Sequence, residues 1–146
     1  MARFLKSAYM GENEPTTVYV NIGANQTVAI GDLIQIDATT RKGVVGVAAS
    51  TTLIGIAEKA ITTGATVTSA DNIPATLIRD AVFRIDYVGA TKTTLAETDL
   101  YSTSFDLSDK KTMNLDDTTG GMLKVLAFDN TKKTADVVCT TANIAY

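Results

Sequence analysis

Apolar and polar side chains alternate with a period of two along most of this chain, the pattern of strands with one face buried. Val18, Val20 and Ile22 alternate with Thr17, Tyr19 and Asn21. The densest signal is residues 27–61, TVAIGDLIQIDATTRKGVVGVAASTTLIGIAEKAI. It reads as short strands ending at 30 and covering 33–37, 43–48 and 53–57. Gly31-Asp32 suits a tight reversal: glycine takes positive φ without a Cβ clash, and aspartate bonds nearby amides.

Further along, 64–69 and 73–80 are weaker strand candidates, with Pro74 favouring an edge or entry position. Residues 81–88 give the clearest strand. Phe83, Ile85 and Tyr87 point one way; Val82, Arg84, Asp86 and Val88 point the other. Arg84 and Asp86 thus share a face, where a surface ion pair would be worth little. Residues 122–128 and 135–139 close the series around a hairpin loop at 129–133. Threonine doublets recur throughout, and threonine is stiff at χ1 and fits a pleated surface. Only 93–99 suggests a helical turn. The expected fold is all-β, a compact barrel or sandwich of short strands.

Residues 1–15 differ from the remainder. Phe4, Leu5, Tyr9 and Met10 are interspersed with Arg3, Lys6 and Ser7, and Gly11 and Pro15 oppose a helix through this region. Two readings stand: a frayed terminus, or an extended arm whose four large apolar side chains form a partner interface. The division expected is therefore an arm at 1–15 and a single β domain at 16–146.

The chain also overlays on itself. The run at 28–34, VAIGDLI, resembles that at 95–101, LAETDLY, at a shift of 67 (99 − 32). Thr51-Thr52 falls on Thr118-Thr119 at that shift, and Gly55-Ile56 falls on Gly121-Met122 one residue out of step. Two related halves would form a pseudo-symmetric barrel or sandwich that covers strand edges.

Composition narrows the chemistry. The chain has 146 residues, 45% hydrophobic and 20% charged, which fits a globular protein with a core. A net charge of −3 with scattered basic residues argues against a nucleic-acid partner. No apolar run reaches membrane-spanning length, so no membrane partner is expected. The N-terminus lacks the apolar segment of a signal peptide, consistent with synthesis and folding in a cytoplasm. With no histidine, the Ser-His and Cys-His nucleophile pairs are excluded. The single cysteine, Cys139, follows two valines and reads as a buried strand residue.

Asp106, Asp109, Asp116 and Asp117 form an acidic cluster, and hard cations such as calcium take several oxygen ligands. The spacing does not follow the calcium-loop pattern, and Lys110 and Lys111 interrupt it. Solvated turn carboxylates are the reading adopted. Carboxylate pairs also serve glycoside hydrolysis. Sugar clefts carry aromatic platforms, whereas Trp is absent and Tyr19, Phe83, Tyr87 and Phe128 fall in strands where core packing explains them. Gly43, Gly46, Gly120 and Gly121 lack the helix and Lys-Ser/Thr of a phosphate loop, and read as turns, bulges or close contacts. No catalytic, cofactor-binding or metal site is assigned.

The order of the motifs is Gly31-Asp32-Leu33-Ile34, Ile-Gly-Ile-Ala at 54–57, and Ala-Val-Phe-Arg-Ile at 81–85. Asp-Leu-Tyr at 99–101 and Gly-Met-Leu-Lys-Val-Leu at 121–126 follow. This order resembles the head decoration, or cement, proteins of tailed bacteriophages. The resemblance spans about 18–138; in that family the second entry often has glycine before its aspartate, where this chain has Thr98. It implies a compact β protein, often trimeric, on the capsid exterior of a virion. The implied partners are the major capsid protein and further copies of itself, with no catalysis and no cofactor. The alternative from another class is a virion-associated β-sandwich module binding carbohydrate or a cell-surface ligand, marked by an exposed aromatic patch.

Overall fold

The computed structural model describes residues 1–7, 15–79 and 81–146. Of the thirteen strands among the described residues, twelve form two units of like topology. In the first unit these are β2 (Thr17–Asn21), β3 (Thr27–Val28), β4 (Leu33–Ile36), β5 (Gly43–Val45), β6 (Leu53–Ala57), β7 (Ile61–Thr62) and β8 (Asn72–Leu77). Its main sheet runs β2-β8-β6-β4-β5, all neighbours antiparallel. A parallel bridge between Ile22 and Gly43 then joins β5 back to the end of β2, closing a five-stranded barrel. Val20, Ile22, Val28, Ile34, Ala57, Ile73 and Ala75 fill it.

The second unit contains β9 (Ala81–Val88), β10 (Ser104–Asp109), β11 (Thr112–Asn114), β12 (Leu123–Asp129) and β13 (Thr134–Cys139). Its order is β9-β13-β12-β10-β11, again antiparallel throughout, with β11 returning to β9 in parallel. Matching β2, β4, β5, β6 and β8 to β9, β10, β11, β12 and β13 reproduces every pairing and every strand sense. The halves expected from sequence are two barrels of one topology.

The best-matched stretch occupies the same place in each. Ala29 N–H donates to Asp32 Oδ2 at 2.8 Å while Asp32 N–H donates to the Ala29 carbonyl at 3.1 Å. In the second barrel Ala96 N–H donates to Asp99 Oδ2 at 2.8 Å, and Asp99 N–H to the Ala96 carbonyl at 2.9 Å. Gly31 takes φ +85° in the first loop, a conformation that favours glycine. The second is a short 3₁₀ turn, Glu97–Asp99, in which Thr98 needs no left-handed backbone. The Gly-apolar match is looser, since Gly55 lies within β6 whereas Gly121 lies two residues before β12 (123 − 121).

In the first barrel β3 and β7 form a small ladder, Val28 opposite Ile61. The second has a tight β12–β13 hairpin in place of β7. There the Asn130 side chain takes over, accepting from Leu95 N–H and donating to the Leu95 carbonyl, each at 2.9 Å.

The barrels share one continuous apolar seam. Along β4, Ile34 points into the first barrel while Leu33 joins Leu53, Ile56 and Ile78 in the cluster that contains Phe83, Phe105 and Val125 of the second. Period-2 alternation thus gives β4 two buried faces, one per barrel. The C-terminal segment crosses back: Ala145 N–H donates to the Leu53 carbonyl at 2.9 Å and Asn143 Nδ2 to the Ser50 carbonyl at 2.9 Å.

Several expectations are corrected. Residues 64–69 form turns rather than a strand, with Asp71 accepting from Thr68 N–H at 2.7 Å. Of the four carboxylates read as solvated turns, Asp106 is buried within β10 and Asp109 ends that strand exposed, whereas Asp116 and Asp117 follow β11 outside any strand, with Asp116 exposed in a turn. Arg84 pairs not with Asp86 but with Asp136, at 2.6 Å. Asp136 sits directly opposite Arg84 on β13, and a directly opposed residue is closer than one two positions along the same strand. Tyr19 is 76% exposed rather than packed in the core; Phe83 and Tyr87 are buried and Phe128 half-buried, as expected.

Candidate interface

The N-terminal segment begins with strand β1 (Arg3–Ser7), antiparallel to the start of β9, with Arg3 opposite Arg84 and Phe4 opposite Phe83. A bulge falls between Phe4 and Lys6. Phe4 is half-buried against the second barrel's core, and Leu5 is half-buried. Tyr9 and Met10 lie outside the described residues. Of the four residues expected at a partner interface, Phe4 and Leu5 are therefore placed on a strand of the chain's own sheet.

Both barrels close without β1. The strand lies at the end of its sheet order, and its outer edge pairs with no described strand. Such an edge offers a row of backbone donors and acceptors to another chain. The bulge, with exposed Arg3 and Lys6, tempers that edge. Before β1 the chain touches both barrels. Ala2, 4% exposed, donates its N–H to the Gly31 carbonyl at 3.1 Å, and the terminal ammonium of Met1 pairs with Asp86 at 2.7 Å.

A second surface feature is the groove where the barrels meet, about 360 Å³, lined by residues 45–48 and 108–111. Lys110 is among its lining residues and fastens the seam. Its carbonyl accepts from Leu33 N–H at 2.7 Å, and its Nζ reaches the Thr27 carbonyl at 2.8 Å and Asp32 Oδ2 at 2.7 Å. Asp32 is 1% exposed and its Oδ1 has no hydrogen-bond partner among the described residues, so Lys110 supplies the charge that makes its burial tolerable.

The acidic cluster resolves into separate structural roles. Asp106, buried, accepts from Ala49 N–H at 2.9 Å across the seam and from Leu107 N–H at 2.7 Å. Asp116 accepts from the N–H groups of Ala90, Thr91 and Lys92, and these bonds hold its carboxyl below the usual carboxylate range. Asp109 and Asp117 accept from Lys111 and Thr119 N–H. Among the described residues, no group of three or more His, Cys, Asp or Glu is placed to hold a metal ion. Cys139 is 8% exposed at the end of β13, and burial pushes its thiol up to about 12.

Comparison with known protein families, characterised proteins and solved structures finds no match to this chain. Function is therefore argued from the surface. Beyond β1, Tyr19 on the first barrel and Tyr101 on the second are 76% and 68% exposed. Tyr101 has φ +61°, a left-handed conformation uncommon for a bulky residue. Sequence reasoning did not single out Tyr101 as an exposed ring, because no glycine marks its left-handed backbone.

Proposed function

We propose that this protein binds the outside of an assembled bacteriophage capsid and stabilises it, acting as a decoration or cement protein on the virion exterior. The observation that carries this reading is β1, a strand outside two closed barrels whose outer edge pairs with no described strand. A strand that neither barrel needs for closure is available for attachment. The double barrel behind it, fused through an apolar seam and the Lys110–Asp32 pair, supplies a stiff body that transmits load between attachment points. The order of the five sequence motifs supports the same reading. Its partners are the major capsid protein and further copies of this chain, with a trimer favoured.

The test is to mix full-length protein and a variant lacking residues 1–14 with undecorated heads, sediment them, and compare occupancy and heat resistance. The reading expects the full-length protein to pellet with heads and raise their heat resistance, and the truncated form to pellet less. Full-length protein left in the supernatant at saturating heads would overturn it.

The alternative is a virion-associated module binding carbohydrate or a cell-surface ligand. Tyr19 and Tyr101 favour it, because exposed aromatic rings are common binding anchors. Binding to a glycan array that is lost on Tyr19→Ala or Tyr101→Ala substitution would bring it forward.

A further inference from the structure

The strand register, the backbone hydrogen bond of Ala2 and the ion pair of the terminal ammonium all tie residues 1–7 to β9 or to the Gly31 loop. Arg3, Phe4, Lys6 and Ser7 align with Arg84, Phe83, Val82 and Ala81; Ala2 bonds to Gly31; the terminal ammonium pairs with Asp86. None of these partners belongs to the tether that connects β1 to β2. A second copy therefore presents an identical acceptor. Since both barrels close without β1, giving the strand to a neighbour opens neither of them.

The tether holds β1 with slack rather than taut. Ser7 lies opposite Ala81, Ala81 N–H donates to the Ile78 carbonyl at 3.3 Å, and Leu77 N–H donates to the Thr16 carbonyl at 2.8 Å. Summing the usual spacings of paired strands and a turn puts Ser7 and Thr16 at most about 22 Å apart. Nine residue steps separate them (16 − 7), and a chain of that length reaches about 30 Å.

We propose that β1 exchanges between copies of this chain, the Arg3–Ser7 strand of one subunit pairing with residues 81–84 of the next. This deepens the arm's part in the reading above and rests on the arm acting between subunits. Strand exchange is a low-cost route to oligomers because contacts already made within a chain are made again between chains. Within one chain the tether gives β1 a high effective concentration at its own β9, so exchange gains ground as copies are concentrated.

The test uses a cross-strand cysteine pair in the full chain, Arg3→Cys with Arg84→Cys, whose Cα atoms are direct antiparallel partners at a separation a disulfide accepts. The protein is oxidised with oxidised glutathione from micromolar to millimolar concentration and run without reductant. The proposal expects covalent multimers whose share rises with concentration, whose disulfides join position 3 of one copy to position 84 of another by peptide mapping, and which neither single-substitution variant forms beyond dimers. A product that stays monomeric at every concentration, closed within one chain or with no disulfide at all, would overturn it. Native mass spectrometry of the unsubstituted protein, mixed from isotopically light and heavy batches, guards against a folding defect in the variant. Mixed multimers that vanish on deleting residues 1–14 support exchange, and multimers that persist without them overturn it. Neither outcome touches head binding, which the sedimentation assay reads separately.

Discussion

Asp32 and Asp99 close the same loop in two barrels, 67 residues apart (99 − 32), and each is paired with a lysine. The pairs are not equal. Lys110 reaches Asp32 across the seam at a side chain 1% exposed, whereas Lys92 meets Asp99 where both retain some solvent, at 36% and 11%. Lys110→Ala leaves a buried carboxylate without its counter-charge and is expected to cost about 3–5 kcal/mol. Lys92→Ala is expected to cost about 1 kcal/mol or less, because water screens that pair. Urea unfolding of the two variants checks this; equal losses would deny Lys110 its role in the seam. Adding Asp32→Asn to Lys110→Ala should recover part of the loss.

Asp116 gives a prediction in acid. Its pKa is depressed in the fold, first by the Lys92 N–H, then by those of Thr91 and Ala90. A depressed carboxylate stabilises the fold fully above its ordinary value of 3.8 and loses that contribution as pH falls through the still lower folded value. Asp116→Ala should therefore lower the melting temperature at neutral pH, and the gap from the parent should narrow below about pH 4. A gap that stays constant across that window would contradict the role of the charge.

Gly121 approaches the opposing backbone so closely that a Cβ there would stand 2.2 Å from the Ser104 carbonyl oxygen. Gly121→Ala must displace backbone, and overpacking of this kind costs about 1–3 kcal/mol. A fall in melting temperature of about 3–10 °C is expected by scanning calorimetry. An unchanged melting temperature would mean β10 and the entry to β12 yield freely.

Cys139 should resist modification. Its burial and raised thiol pKa leave almost no thiolate at pH 8. Labelling of the folded protein by a soluble thiol reagent is expected to be far slower than in denaturant. Stoichiometric labelling at the denatured rate would show β13 opening at its end.

The alternation of side chains made most strands legible, because a residue such as Phe83 or Ile73 reports one buried face directly. It failed at β10 and β11, where Asp106 is buried on a strand and satisfied by Ala49 and Leu107 N–H. An aspartate with backbone partners across a seam looks, in sequence, like any turn aspartate. The duplication was readable at the Asp loops and blurred elsewhere for a geometric reason. Equivalent positions drift from an offset of 66 at Ile22 and Val88 (88 − 22) to 71 at Gly43 and Asn114 (114 − 43). It drops to 62 at the starts of β8 and β13 (134 − 72), since the second barrel omits the β7 excursion. The candidate interface was partly legible: Phe4 and Leu5 signalled an apolar segment, but not that it would form a strand along β9.

The measurement that tests the central claim most directly is cryo-electron microscopy of heads incubated with saturating full-length protein. The account predicts added density on the outer surface, ordered at a symmetry axis of the capsid and fitted by the double barrel. Bare heads at saturation, with the protein recovered in solution, would contradict it.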